Sequence, residues 1–157
     1  MKLHILAVGQ RMPAWIDEGF IEYAKRMPRE MPLALKELKP AQRSASAGDL
    51  PRWLATEAER IEAALPESAL RVVLDEKGRS FPTRGLAVNL EQWRREGRDV
   101  AFIIGGADGL ADGIRKSADL LWSLSPLTLP HGLVRVILAE QLYRAASLLT
   151  HHPYHRD

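Results

Sequence analysis

The chain has 157 residues, 46% hydrophobic and 27% charged, with a net charge of +2 and no cysteine. That length and hydrophobic content suffice for one domain with its own core. The missing cysteine excludes disulfides, thiolate-ligated zinc and thiolate catalysis, and the small net charge excludes a strong global field.

Residues 2–8 are apolar and end at Gly9, which predicts a buried strand. The run is too short for a signal peptide and no small-residue cleavage site follows it. No stretch reaches the roughly 18 apolar residues of a membrane span. The chain is therefore expected to be soluble and cytoplasmic, with no membrane partner. After Pro13, the helical spacing of Trp15, Ile16, Phe20, Tyr23 and Met27 predicts a helix over 14–27. A second strand is expected over 33–38, and a loop over 39–48. Asp49 is expected to cap a helix to about Leu65, with Pro51 in its first turn.

A third strand covers 70–75, turning out through Glu76-Lys77-Gly78-Arg79-Ser80. A helix over 83–96 stops at Gly97. The wholly apolar run 100–104 reads as a central strand and enters Gly105-Gly106-Ala107-Asp108-Gly109. A short helix over 110–117 and a strand over 120–124 follow, then a helix from His131 to Leu149. This helix is expected to turn Leu133, Val134, Ile137, Leu138, Leu142, Ala145, Leu148 and Leu149 toward the core. Five strand–helix alternations predict an α/β domain with a mostly parallel five-stranded sheet and helices on both faces.

In such sheets ligands bind beyond the carboxyl ends of the strands. Three of those ends are distinctive: Leu74-Asp75, Gly105-Gly106, and Leu124 to Pro130. The glycine turn lets backbone approach a ligand closely. It is neither G-x-G-x-x-G nor a phosphate loop with Lys-Ser/Thr, and by itself it also reads as a tight strand-to-helix connection. Two prolines stiffen Ser125 to Pro130 around the apolar Leu127 and Leu129, a setting suited to a flat aromatic ring such as adenine. The same leucines alternatively plug the core beneath the last helix. Glu140 and Arg144 stand four apart, as an ordinary helical ion pair or with Arg144 facing a phosphate.

The tail His151-His152-Pro153-Tyr154-His155-Arg156-Asp157 has three readings. Pro153 breaks the helix that a His151–His155 metal pair would need, so no metal is expected. By composition the tail is a frayed end, or a nucleic-acid contact in which Tyr154 or His155 stacks on a base and Arg156 grips phosphate.

Taken together, the segment Leu124 to Arg144, with Thr128-Leu129-Pro130-His131 and Leu133-Val134-Arg135-Val136, resembles the RlmH family. So do the Gly105–Gly109 turn, the closing Pro153-Tyr154-His155-Arg156 and the opening Lys2 to Gly9. These are SPOUT-class methyltransferases of large-subunit (23S) ribosomal RNA. The likeness spans essentially the whole chain, so 1–157 reads as a single SPOUT-type methyltransferase domain. The resemblance implies a C-terminal trefoil knot, a homodimer, an S-adenosylmethionine site, and methylation of N3 of a pseudouridine, with the ribosome as substrate. Carried over by position, the cofactor site comprises Leu74, Gly106, Ser125, Pro126, Leu127, Thr128, Leu129 and Pro130, with Asp75 and Gly105 adjacent. The substrate and catalytic side comprises Glu140, Arg144, Tyr154, His155 and Arg156, with His131 a further candidate. His155 is the first candidate for general base because histidine titrates near neutrality, and Glu140 is the alternative. Pro126 and Asp157 depart from the family pattern.

The absent thiolate agrees with a nitrogen or ribose-oxygen acceptor, since C5 methylation of uracil commonly needs a covalent adduct. Two other readings stand beside this one. They are a SPOUT enzyme acting on transfer RNA or a ribose 2′-hydroxyl, and a non-catalytic ribosome-binding factor. A hydrolase lacks support, because no nucleophile-elbow motif is present.

Overall fold

The computed structural model describes residues 1–43 and 47–155. Residues 44–46 of the expected 39–48 loop, and Arg156 and Asp157 of the tail, lie outside them. The strands are β1 (Leu3–Val8), β2 (Leu33–Leu38), β3 (Leu70–Arg79), β4 (Val100–Ile104) and β5 (Leu120–Trp122). They form one sheet in the order β2-β1-β4-β3-β5, and every pairing is parallel. Parallel neighbours require crossovers, supplied by α1 (Ala14–Ala24), α2 (Leu50–Ala64), α3 (Thr83–Glu96) and α4 (Asp112–Lys116). α5 (His131–Leu149) follows β5.

Side chains alternate across the sheet, as the two-residue period of a strand requires. Leu3, Ile5, Leu70, Val72, Val100 and Phe102 face a core closed by α1, α3 and α5, with Phe20, Leu90, Leu138 and Leu142. Leu6, Val8, Val73 and Ile103 face a smaller core with Ile61 of α2 and Ile114 of α4. The β4 burial explains its unbroken apolar run: both faces are covered. Phe81 stacks on Trp122 at 5.0 Å, and Phe102 meets Trp122 at 6.3 Å, sealing the β5 side.

Several expectations need correction. α1 ends at Ala24 rather than 27, because Pro28 disfavours helical backbone at the residue before it. Asp49 precedes α2 without a side-chain capping bond. α4 is shorter than 110–117, and β5 stops at Trp122 because Ser123 already turns into the next loop.

β3 departs most. It does not end at Asp75: both Leu74 and Arg79 pair with Trp122, so Asp75 to Gly78 bulge out of the sheet and the strand then resumes. The Ser123 amide donates to the Arg79 carbonyl at 2.9 Å. Gly78 permits the bulge, since a Cβ there would lie 2.6 Å from the Trp122 backbone nitrogen.

The buried face of α5 is wider than expected. Val134, Leu138, Leu142, Ala145, Leu148 and Leu149 pack on the core as expected, Leu133 and Ile137 stay half-buried outside it, and Arg135, Ala139 and Ser147 are buried without having been expected there. Arg135 is fully enclosed because its guanidinium finds partners there: it donates to Glu37 at 2.6 Å and to the Gly9 carbonyl at 2.9 Å. A buried charge with such partners is tolerated where an unpaired one is not. No described helix is long and apolar enough to cross a membrane.

Candidate active site

The three strand ends meet. A cavity of ≈ 220 Å³ opens at the carboxyl edge of β3, β4 and β5. Leu74, Asp75, Gly105, Gly106, Ser125, Leu127, Thr128 and Leu129 line it, as does His131. Pro126 and Pro130 do not, and act on the loop backbone instead. Pro130 stands immediately before α5 with φ −57° and ψ 133°, the fixed φ of proline setting the helix entry. Glu76, Ile104, Leu110, Arg115 and Val134 also line the cavity and were not singled out from sequence. Arg115 had only a helical Asp112–Arg115 spacing as its signal. Glu76 was hidden because the bulge that turns it to the cavity depends on β5.

Each wall has a local cause. The glycine turn closes on itself: the Gly109 amide donates to the Gly106 carbonyl at 3.1 Å, with Gly109 at φ +78°. A Cβ on Gly105 would lie 2.8 Å from the Gly109 carbonyl oxygen, so only glycine permits this approach. Asp108 is held by Arg43 at 2.7 Å, and Arg43 rests over the Trp53 ring at 4.7 Å. In the loop after β5, the Ser123 hydroxyl donates to the Ser125 carbonyl at 2.9 Å, and the Ser125 hydroxyl accepts from the Leu127 amide at 3.0 Å. These local bonds leave Leu127 70% exposed at the rim, which corrects the reading of this leucine as a core plug. Leu129 does line the cavity.

Asp75 receives the Lys77 amide at 2.8 Å and Arg115 Nε at 2.6 Å. Burial works to raise its pKa, but these donors outweigh burial and hold the carboxyl below the usual carboxylate range. His131 is shifted downward too, which for an imidazole favours the neutral form. Burial, and then the Arg135 charge, lower its pKa, so it is neutral at pH 7. Its Nδ1 is buried without a hydrogen-bond partner.

Glu140, Arg144, Tyr154 and His155 form a second group along α5. The tail is not frayed over its described part: after His151 in left-handed backbone (φ +55°), Pro153–His155 make a 3-10 turn against the helix. Glu140 accepts from Arg144 Nε at 2.9 Å, from the Tyr154 hydroxyl at 3.0 Å and from Gln141 at 2.8 Å. Arg144 lies over the Tyr154 ring at 4.9 Å, and Tyr143 meets that ring at 4.5 Å. Burial, then Glu140, push the Tyr154 hydroxyl up to about 12, so it stays a donor.

His155 Nδ1 lies 3.3 Å from the Ser147 hydroxyl, whose single proton goes to the Arg144 carbonyl at 2.7 Å. Nδ1–H is then the donor, and in the neutral imidazole that tautomer carries its lone pair on Nε2. None of these four residues lines the cavity. Val134, which does, stands six residues before Glu140, about 9 Å along the helix axis.

The fold is a parallel α/β sheet with a cavity at its strand ends, and the comparisons with known proteins give the class. The family model described as predicted SPOUT methyltransferase matches residues 1–155, and the chain belongs to that family of methyltransferases. Within it the chain groups with the RlmH proteins. It is 58% identical, over 99% of both chains, to proteins named Ribosomal RNA large subunit methyltransferase H from Burkholderia mallei (strain SAVP1) and Burkholderia pseudomallei (strain K96243). Among solved structures it resembles a methylase family protein from Neisseria gonorrhoeae, with TM-score 0.55 and 14% identity, covering 96% of this chain and 93% of that one. A Haemophilus influenzae Rd KW20 methylase family protein gives TM-score 0.57 and 12% identity, covering 99% of this chain and 70% of that one. At such identities these two likenesses concern the fold.

Proposed function

We propose that this chain, acting as a single domain over 1–157, uses S-adenosylmethionine to methylate N3 of a pseudouridine in large-subunit ribosomal RNA on the assembled ribosome. The observation that carries the reading is the convergence of Leu74, the Gly105–Gly106 cradle and the Ser125–Leu129 loop on one cavity, in a chain 58% identical to rRNA large-subunit methyltransferases.

The walls suit the cofactor. Leu74, Leu127 and Leu129 offer aliphatic surface to a flat base, and the glycine backbone offers unobstructed polar groups. Leu74, Asp75, Gly105, Gly106 and the Ser125–Pro130 loop would hold it. When bound, it supplies a methyl group already activated on a sulfonium. The protein's own part is to align the acceptor nitrogen, keep water out and remove the N3 proton.

His155 Nε2 takes that proton, since its other nitrogen is engaged with Ser147. Glu140 is the weaker candidate because three donors already occupy it. Arg144 and Arg156 contact phosphate, and Tyr154 donates rather than accepts. A whole-ribosome substrate fits the small net charge of +2, with docking shape carrying specificity and the cytoplasm as the site of action.

The α5 separation between cavity and tail argues for a homodimer in which one subunit's tail serves its partner's cavity. The half-buried Leu133 and Ile137 and the exposed Trp15 offer apolar surface for the pairing. We extend the family's C-terminal trefoil knot to this chain as well.

The test is to incubate the protein with tritiated S-adenosylmethionine and either intact ribosomes or naked RNA, then map the label. Label on one pseudouridine N3 in ribosomes is expected. Label on transfer RNA or on a ribose hydroxyl, or none at all, overturns the reading.

A further inference from the structure

Among the described residues lining the cavity, the formally charged groups are Asp75, Glu76 and Arg115. Arg115 already serves two carboxylates, donating to Asp75 at 2.6 Å and to Asp112 at 3.1 Å. His131 adds no cation, because burial and Arg135 keep it neutral. Glu76 is the remaining charge. It accepts from the Thr128 hydroxyl at 3.3 Å, a neutral donor across the mouth from the β3 bulge. Much of the wall is aliphatic, including Leu74, Ile104, Leu110 and Leu129. Glu76 itself is exposed at the rim, so its pull on a ligand is open to screening by salt. The cavity therefore carries an excess negative charge, and Glu76 is its source.

We infer that Glu76 is a specificity-determining residue that makes the cavity prefer the cationic methyl donor over its neutral product. The inference rests on the S-adenosylmethionine reading above. The donor carries a sulfonium, an ammonium and a carboxylate, one net positive charge. On transfer, the C–S bond to the methyl group breaks and its electron pair stays on sulfur. The methyl carbon bonds to nitrogen, and the N–H proton leaves to the base. The thioether product then has no net charge. Adenine and ribose contacts are common to both ligands and cannot separate them, whereas a carboxylate at the mouth attracts the net cation more than the net-neutral zwitterion. Losing that attraction after each transfer favours product release.

The experiment is calorimetric titration of the full chain with three ligands: S-adenosylmethionine, S-adenosylhomocysteine, and sinefungin, in which an amine replaces the methylated sulfonium and the net charge is kept. The wild-type protein is expected to bind the two cationic ligands about tenfold more tightly than S-adenosylhomocysteine at low salt, with the ratio shrinking at high salt. Glu76→Gln removes the preference by weakening the cationic pair and leaving the thioether within about twofold. Glu76→Asp, which keeps the charge, retains it. A Glu76→Gln protein that loses affinity for all three ligands equally, or keeps the wild-type ratio, overturns the inference while leaving the cofactor reading intact. A wild-type protein that binds none of the three overturns the cofactor reading itself, and this inference with it.

Discussion

Tyr154 and His155 are neighbours in the tail with opposite proton chemistry, and their partners decide which does what. Tyr154 is held protonated by burial and by the Glu140 carboxylate, with a pKa of about 12 against an ordinary 10.0. The folded state thus binds that proton more tightly than the unfolded chain. The associated stability is fully present below pH 10 and is lost as pH rises through about 12. Tyr154→Phe should cost about 1 kcal/mol at pH 7, and the gap to wild type should narrow above pH 10 in urea denaturation. His155, by contrast, carries its lone pair on Nε2 in the neutral tautomer that the Ser147 contact selects. His155→Ala should slow single-turnover methylation on the order of a hundredfold, with ribosome binding retained. An unchanged rate would exclude it as the base. The pairing of these side chains with Glu140 and Ser147 was not legible in the sequence, because a proline-broken tail gives no periodicity from which to infer docking.

At the level of elements, the cavity depends on turns that tolerate no side chain. Gly105 approaches the Gly109 backbone, which unlike a flexible side chain cannot move aside. Gly105→Ala should lower stability by about 1–3 kcal/mol and weaken S-adenosylmethionine at least tenfold by calorimetry. Gly97→Ala provides the control. Gly97 ends α3 at φ +69°, with open space around its Cβ position. It should cost about 1 kcal/mol through backbone strain alone and leave cofactor affinity unmoved.

β2, β4, α3 and α5 are readable from apolar runs and from Pro and Gly punctuation, since those signals are local. The β3 extension is not, because Arg79 pairs with Trp122 across more than forty positions. Nor is the burial of Arg135 on α5. Arg135 counts as polar in any pattern, yet Glu37 and the Gly9 carbonyl make the interior its best site.

For the whole molecule, the unresolved tension in one chain is that cavity and tail occupy different turns of α5. A dimer relieves it if each tail crosses to the other cavity. Mixed dimers test this. Pairing a subunit lacking 151–157 with one carrying Gly105→Ala should retain about half the wild-type activity if tail and cavity act across the interface, since one intact composite site remains. The same mixture should be nearly inactive if each chain works alone. Analytical ultracentrifugation of the wild-type protein checks the dimer itself.

The sequence by itself determined the α/β alternation, the three strand ends that line the cavity, and the exclusion of thiolate mechanisms. Period, punctuation and residue type are properties of short stretches. Only tertiary structure decided that Glu76 and Arg115 enter the cavity wall, that Leu127 stands at its rim rather than in the core, and that the tail docks on α5. Glu76 and Arg115 are placed by contacts between segments far apart in the chain, with the β5 backbone and the Asp75 carboxylate, whereas Leu127 and the described part of the tail are set by shorter-range side-chain bonds that no periodicity announces.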